Sequence, residues 1–342
     1  MTSSVSAMTI SKTSSRSAAI ARISDLVERS RRVLVVSHID PDGDALGSQL
    51  AFGEYLRLQG KDVFLLRDSD IPDKYAFLPG IEKVIKAESL ADDFAVDTAV
   101  ILECPNQQRV GSAMRFITDG VAVINIDHHP DARELGTVNW FETAASSVGE
   151  MLTEFFEATG ADITPTMATC LYTAIVTDTG RFRFPATTER TMAIGGKLIR
   201  LGADPQAICD NVYYNMRPST LRLTGRVLHE IEFHYDNRVC FLHLTDQMLK
   251  ETGAESAESD GMVDYTMYSG TVRAGALFKE TDGGATKVSM RSRDAIDVSA
   301  IAASFGGGGH RNAAGCRVEG DLAHAKSIIL EKLQEAIDAE RI

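Results

Sequence analysis

The sequence lacks the cysteine pattern of a disulfide-bonded or zinc-ribbon protein. Its five cysteines are widely spaced, odd in number and form no CxxC pair, which fits a reducing compartment. No apolar run is long enough to cross a bilayer, and the first eighteen residues lack the apolar region of a signal peptide. We therefore expect a soluble, cytoplasmic protein with no membrane partner and a disordered tail over residues 1–18.

An excess of positive charge is also missing. The 342 residues include 48 acidic and 35 basic side chains, which gives a formal net charge of −13. Such a surface is poorly suited to gripping long nucleic acid, so we expect no long duplex as a partner. A small anionic substrate is still compatible with this charge if basic side chains gather at one site.

Short apolar runs alternate with amphipathic segments through the first half of the chain, which is typical of a parallel sheet flanked by helices. We predict an α/β protein with a catalytic domain over residues 19–216, a linker over residues 217–230 and a smaller α/β domain over residues 231–342. The predicted strands cover residues 32–37, 62–67, 97–103, 121–126, 181–184, 239–244, 272–279 and 287–291. The predicted helices cover residues 45–59, 148–158, 165–176, 188–201 and 322–339.

Acidic and imidazole side chains follow three of the predicted strands. The carboxyl ends of parallel strands meet at one edge of a sheet, where open α/β sheets bind their ligands. Mixed carboxylate and imidazole ligands suit Mn²⁺, Mg²⁺ or Fe²⁺ better than a closed thiolate zinc site. The side chains concerned are His38, Asp42, Asp44, Glu103, Asp127, His128 and His129.

Each of these segments also has an ordinary structural explanation. Asp42 and Asp44 are typical of an Asp-Gly turn that caps the following helix. One of His128 and His129 would point into the core as a satisfied histidine. Asp178 follows an apolar helix and would be a turn residue at its end.

The C-terminal part contains candidate phosphate-binding groups. Four consecutive glycines at residues 306–309 precede His310 and predict either an anion-binding nest or a flexible turn, with a helix from Asn312 or a tight turn next. Arg291 and Arg293 lie two residues apart on a predicted strand and therefore share a face. Their guanidinium groups match phosphate geometry, although solvated arginines on an edge strand would have the same spacing.

These motifs together resemble those of the DHH phosphoesterases, and they occur in the order found in that family. The run HIDPDGD at residues 38–44 resembles the first motif, DHH at residues 127–129 the triplet that names the family, and TDTG at residues 177–180 its fourth motif. The run GGGGHRNAAG at residues 306–315 resembles the signature of the DHHA1 domain. Within the family, the chain is most similar to the NrnA group of bacterial nanoRNA hydrolases.

The resemblance implies two divalent cations, with Mn²⁺ favoured over Mg²⁺, in a cleft between the two domains. It implies that His38, Asp42 and Asp178 hold one ion and that Asp44, His128 and Asp178 hold the other. The family's second motif supplies a bridging aspartate, and Glu103 stands at that position here. An altered metal–metal geometry or an impaired second site is therefore an open alternative.

The resemblance also implies roles in catalysis and substrate binding. His129 is similar to the histidine that donates to the phosphoryl oxygen or protonates the leaving oxygen, acting beside His128 and Asp178. Arg109 either lines the site or belongs to an ordinary polar loop. The residues implied to hold the terminal nucleotide are Arg291, Ser292, Gly308, Gly309 and His310.

The activity implied is hydrolysis of short oligoribonucleotides to mononucleotides and of 3′-phosphoadenosine 5′-phosphate to AMP. A hydroxide activated by two metals would attack phosphorus in line. The partners implied are short RNA, nucleoside bisphosphates and a second copy of the chain in a homodimer. Phosphodiesterase action on cyclic or linear dinucleotides, and a nucleotide-binding sensor whose catalysis is impaired by Glu103, are the alternatives.

Overall fold

The structure is a computed structural model that describes residues 16–281 and 283–339. The described residues divide into two compact units at the bond between Asn215 and Met216. Most of the tail expected over residues 1–18 lies outside the described residues. Its last three residues instead begin the first helix, which starts at Arg16.

The first unit is built on a parallel six-stranded sheet with the strand order β3-β2-β1-β4-β5-β6. Its strands are β1 (Arg32–Val36), β2 (Asp62–Arg67), β3 (Val84–Lys86), β4 (Thr98–Leu102), β5 (Ala122–Asp127) and β6 (Val138–Phe141). Its helices are α1 (Arg16–Arg29), α2 (Gly43–Leu58), α3 (Val148–Thr159), α4 (Pro165–Asp178), α5 (Glu189–Arg200) and α6 (Pro205–Tyr213).

The strand order reverses between β1 and β4, and this reversal determines where a ligand site forms. From β1 the chain continues to β2 on one side, whereas from β4 it continues to β5 on the other side. The two connecting segments therefore diverge and leave a crevice at the carboxyl ends of β1 and β4. The segments that carry His38 and Glu103 leave the sheet at this crevice.

Helices α2 and α4 cross unusually closely on one face of the sheet because glycines line their contact. A Cβ atom built at Gly47 would lie 2.3 Å from the carbonyl oxygen of Cys170, and one built at Gly43 would lie 2.4 Å from Oγ1 of Thr177. Only glycine allows this approach without a clash. As a result, the end of α4, which carries Asp178, lies against the start of α2, which carries Asp44.

The second unit contains a mixed six-stranded sheet with the strand order β11-β12-β10-β9-β8-β7. Its strands are β7 (Glu232–His234), β8 (Val239–Leu244), β9 (Ala274–Glu280), β10 (Ala285–Ser292), β11 (Gly308–His310) and β12 (Ala313–Glu319). Its helices are α7 (Pro218–His229), α8 (Asp246–Thr252), α9 (Val298–Ser304) and α10 (Leu322–Ala339). Helix α10 packs its buried face on β8 and β9.

Three of the expectations about local structure are wrong. Residues 217–230 are not a linker, because α7 covers most of them and buries Leu223 and Val227 in the core of the second unit. Residues 181–184 form a turn rather than a strand, since the amide groups of Arg183 and Phe184 both donate to the carbonyl oxygen of Thr179. Gly308 and Gly309 form the short strand β11 with His310 instead of a nest, and of the two continuations expected, the tight turn follows rather than the helix.

Candidate active site

The loop after β1 turns sharply to bring its polar side chains to the crevice. Asp40 adopts a left-handed backbone with a φ of 54°. Asp42 is the N-cap of α2 and accepts a hydrogen bond from the amide of Ala45 at 2.9 Å. The capping explanation for Asp42 is therefore correct, but a carboxylate oxygen has two lone pairs and can also serve a ligand. Oδ1 of Asp42 lies 3.9 Å from Nε2 of His38.

Glu103, directly after β4, lies at the centre of the cluster. It is buried and has a left-handed backbone with a φ of 56°, a conformation that costs free energy for a residue other than glycine. Its carboxylate oxygens lie 2.6 Å from Nε2 of His38, 3.2 Å from Nδ1 of His129 and 3.7 Å from Nε2 of His128. The three imidazoles therefore converge on one carboxylate.

The histidines use their second ring nitrogen to fix this orientation. Nδ1 of His38 lies 2.7 Å from the carbonyl oxygen of Ile39, and Nδ1 of His128 lies 3.3 Å from that of Ala145. In both rings Nε2 is then turned towards the carboxylates, with Nε2 of His128 at 3.3 Å from Asp178. Metal-binding histidines are oriented in this way by backbone carbonyl groups.

Asp44 is held by the N-terminus of α3, a contact that the sequence did not reveal. Its Oδ2 accepts the amide hydrogen of Val148 at 2.7 Å, and its Oδ1 accepts that of Gly149 at 2.9 Å. Ser48 donates to Oδ1 at 2.9 Å as well. The positive end of the helix dipole thus stabilises a carboxylate that is fully buried. Oγ of Ser147 caps this helix by accepting from the amide of Glu150, and the proximity of the helix to Asp44 depends on tertiary packing.

The chemistry of these donors fits divalent cations. Three groups of side chains each offer nitrogen and oxygen atoms that all lie within 4.8 Å of one another. Glu103 and His128 each belong to two groups, so the groups are contiguous, and mixed imidazole and carboxylate donors suit Mn²⁺ or Mg²⁺. The groups are His38, Asp42 and Glu103; Asp44, His128 and Asp178; and Glu103, His128 and His129.

The position of Asp178 in these ligand groups differs from the ion sites that the family resemblance implies. Asp178 is expected in both ion sites, but within the described part of the chain it is grouped with Asp44 and His128. Glu103 completes the group of His38 and Asp42 instead. The reason is geometric, because Glu103 follows β4, the strand next to β1 in the sheet.

The protonation states reflect the crowding of charge. Burial lowers the pKa of His38, but the Glu103 carboxylate outweighs this effect and raises the pKa to about 9. Burial also lowers the pKa of His128, whereas Glu103, Asp178 and Asp44 raise it to about 10. Burial and the Glu103 charge raise the pKa of Asp44 to about 7. In the metal-free protein, protons on the imidazoles therefore balance the carboxylates.

Two further side chains border the cluster. Nη2 of Arg109 lies 3.0 Å from Nδ1 of His38, which brings Arg109 to the site rather than leaving it in a remote loop. Asp127 is fully buried, and its Oδ1 accepts from both the backbone amide of His129, at 2.9 Å, and its ring Nδ1, at 2.8 Å. Burial lowers the pKa of His129, but the hydrogen bond to Asp127 raises it above its ordinary value.

In the second unit, the strand register aligns the predicted phosphate-binding residues. Arg291 of β10 pairs with Ala313 of β12, which in turn pairs with His310 of β11. Directly opposite residues in a sheet point to the same face, so the Arg291 and His310 side chains share one face. Nε of Arg291 also contacts Oδ1 of Asp264 at 2.8 Å. Ser292 points elsewhere, since its hydroxyl donates to the carbonyl oxygen of Ile296 at 2.7 Å.

Comparison with known protein families matches both units. The profile of the DHH family, N-terminal domain, matches residues 32–175, and that of the DHHA1 domain matches residues 237–339. This chain belongs to the DHH family. The predicted α/β fold class and the predicted enzyme class, a hydrolase of phosphoester bonds, are thereby confirmed.

Several relatives of this DHH-family chain match along most of their length. It is 32% identical to the bifunctional oligoribonuclease and PAP phosphatase NrnA of Thermus thermophilus, over 89% of this chain and 90% of that protein. It is 28% identical to the Bacillus subtilis protein of the same name, over 84% and 89% respectively. An exopolyphosphatase-related protein from Bacteroides fragilis has a similar crystal structure, with a TM-score of 0.88, 26% identity and coverage of 95% and 98%.

In the part of the chain that the structure describes, no helix is both long and apolar enough to cross a membrane.

Proposed function

We propose that this protein hydrolyses short oligoribonucleotides to mononucleotides and 3′-phosphoadenosine 5′-phosphate to AMP. The observation that carries the proposal is the set of three contiguous ligand groups at the crevice between β1 and β4. The names of the Thermus thermophilus and Bacillus subtilis relatives support this choice of substrates. A homodimer as the working form, which the family resemblance implies, is part of the proposal.

Two divalent cations, with Mn²⁺ favoured, belong to this proposal. The chemistry that they supply when bound is a water of lowered pKa and neutralisation of the charge on the phosphoryl oxygens. Glu103 lies between the two sets of ligands and would contribute to both. The proposed ligands are His38, Asp42, Asp44, Glu103, His128 and Asp178.

The protein's own contribution to the chemistry centres on His129. Asp127 holds Nδ1 of His129, so that Nε2 is on the side of the ring away from Asp127. The raised pKa keeps the ring protonated to higher pH, which suits a group that donates a proton to the leaving oxygen. Arg109, beside His38, would bind a phosphoryl oxygen through its guanidinium group.

The second unit would bind the far end of the substrate. Arg291 would supply positive charge, and Arg291 and His310 would supply hydrogen-bond donors, on one face of the sheet. Gly308 and Gly309 lack side chains and are exposed, so a phosphate can approach the backbone of β11 closely. Ser292 would support this site indirectly, because Nδ2 of Asn312 donates to its hydroxyl at 3.0 Å and thereby fixes the turn between β11 and β12.

A nucleotide-binding sensor without turnover is the second candidate. It is favoured by the direct contact of 2.6 Å between Glu103 and Nε2 of His38, the atom that would bind a cation. In this alternative, the longer side chain of Glu103 keeps the imidazole as an ion-pair partner and weakens one cation site. The phosphate-binding face of the second unit would be unaffected.

The test is Mn²⁺-dependent hydrolysis of labelled RNA of two to five nucleotides and of 3′-phosphoadenosine 5′-phosphate. Cyclic and linear dinucleotides serve as competing substrates. Wild type is compared with His128→Ala and Glu103→Asp, and with His324→Ala as a control for loss of an exposed histidine. We expect turnover by wild type and by His324→Ala, and none by His128→Ala.

Tight binding of RNA without hydrolysis by wild type would overturn the proposal and favour the sensor. Recovery of turnover in Glu103→Asp would then identify the longer carboxylate as the cause. A strong preference for dinucleotides over both proposed substrates would instead indicate a dinucleotide phosphodiesterase.

A further inference from the structure

We propose that Tyr268, backed by Tyr265, is a platform on which one nucleobase of the substrate stacks. The inference rests on the proposed function, because it assigns a base-binding residue to the same oligonucleotide substrate. It concerns the second unit alone, where residues have been proposed to bind phosphate but none has been proposed to bind a base.

Tyr268 is exposed although it belongs to a well-packed segment. It is 64% exposed, whereas Met262 and Val263 in the preceding 3₁₀ turn (Met262–Met267) are buried. The ring centroids of Tyr265 and Tyr268 lie 5.2 Å apart with an interplanar angle of 52°. Tyr265 packs against the core of the unit, so it supports the outer ring from behind.

The turn that carries these rings rests directly on the sheet. A Cβ atom built at Gly275 of β9 would lie 2.1 Å from Oγ1 of Thr266. The Thr266 hydroxyl donates to the carbonyl oxygen of Val263. Because the turn has this close contact and its own hydrogen bonds, little conformational entropy would be lost when a base stacks on Tyr268.

Two arginines bind the same turn and provide positive charge beside the ring. Nη2 of Arg293 donates to the carbonyl oxygen of Met267 and lies 3.5 Å from that of Ser269, the residues on either side of Tyr268. Arg291 contacts Asp264, next to Tyr265. An aromatic ring flanked by arginines is the combination that binds single-stranded nucleic acid, with stacking for the base and charge for the phosphate.

The platform and the phosphate-binding residues lie on the same face of the sheet. Gly275 pairs with Arg291, which pairs with Ala313, which pairs with His310. This row of directly opposite residues shares one face. The turn covers that face at Gly275. Tyr268 follows this turn directly and therefore lies near the face from which the Arg291 and His310 side chains project.

Exposure of a single aromatic residue would not be enough, since isolated apolar side chains are common on protein surfaces. Phe233 illustrates the difference. It is 44% exposed, but it lies on β7 at the opposite edge of the sheet from β11. Phe233 therefore offers a matched control for loss of an exposed ring in the same unit.

The experiment compares a three-nucleotide RNA with RNAs of the same length that lack the base at one position at a time. For each, kcat/KM is measured with Mn²⁺, and Kd is measured by titration with Ca²⁺ in place of Mn²⁺. We expect wild type to favour the intact RNA over one of the abasic RNAs by about 5- to 150-fold in kcat/KM or Kd. Tyr268→Ala and Tyr268→Leu should lose this preference, and Tyr268→Phe and Phe233→Ala should keep it.

The inference is overturned if Tyr268→Ala retains the wild-type preference at every position, or if wild type shows none. It is also overturned if the variant loses affinity for intact and abasic RNAs by the same factor. Absence of turnover in wild type would contradict the proposed function alone, because the Kd ratios still test stacking.

Discussion

Cation binding at the cluster should release protons, because the histidines that would bind cations are protonated in the metal-free protein. Their pKa values are about 9 for His38 and about 10 for His128, so both rings are charged at pH 7. An imidazole must be neutral to bind a cation. Loading both sites at pH 7 should therefore release about two protons per chain from the imidazoles, and further protons from the carboxyl groups of Asp44 and Asp178, whose pKa values burial raises.

Isothermal titration calorimetry measures this number. The chelated protein is titrated with Mn²⁺ at pH 7 in several buffers that differ in their enthalpy of ionisation. The slope of the observed enthalpy against the buffer enthalpy gives the number of protons released. His128→Ala should lower it by about one, whereas His324→Ala, which removes an exposed histidine, should not change it.

The apparent affinity should also rise with pH up to about 9 to 10, where the rings lose their protons without a cation. An observed enthalpy that is independent of the buffer would refute the reasoning. It would mean that the imidazoles are already neutral, and that the carboxylates around Glu103 do not hold protons on them.

Three other predictions follow from the same contacts. Folding raises the pKa of His38 and His128 above 6.5. Their contribution to the stability of the protein, once a chelator has removed any cations, is therefore complete below pH 6.5 and is lost as the pH rises through about 9 to 10. Urea denaturation should show this loss, and saturating Mn²⁺ should reduce it. Gly47→Ala should cost about 1–3 kcal/mol of stability, because its methyl group meets the carbonyl oxygen of Cys170, whereas Gly225→Ala, with no atom nearby, should gain up to about 1 kcal/mol in urea denaturation. Asp127→Asn should lower kcat by about 10- to 100-fold without changing the Mn²⁺ content measured by mass spectrometry, because Asp127 orients His129 and is in none of the ligand groups.

Elements that bury a simple periodic pattern could be predicted from the sequence. The strands at residues 62–67 and 239–244 and the helix at residues 322–339 have the predicted bounds. In the two strands a short apolar run is bounded by polar residues, and in the helix the buried residues Ala325, Ile329, Leu333 and Ile337 recur every four positions. The turn at residues 181–184 alternates arginine and phenylalanine, which imitates a strand, but hydrogen bonds to Thr179 determine its conformation.

The identity of the clustered residues could also be predicted, but the way they are held could not. Each proposed ligand lies at the end of a predicted strand or helix or shortly after it, and that position is visible in the sequence. The amides that fix Asp44 belong to Val148 and Gly149, more than a hundred residues further along the chain. Their proximity requires the close crossing of α2 and α4 and the docking of α3 against both, with a Cβ at Gly149 only 2.5 Å from that of Ala174. No local pattern encodes such a contact.

Two features of the cluster lower the free energy of unfolding. Glu103 adopts a left-handed backbone in the middle of a buried group of charges, and neither feature improves packing. Without a cation, the fold must balance buried carboxylates with protons on His38 and His128, which is why those pKa values are raised. A cation that replaces the protons removes this constraint and binds the folded state alone, so it should stabilise the protein by mass action. The strain at Glu103 and the raised pKa values would therefore share one explanation, the proposed cation site.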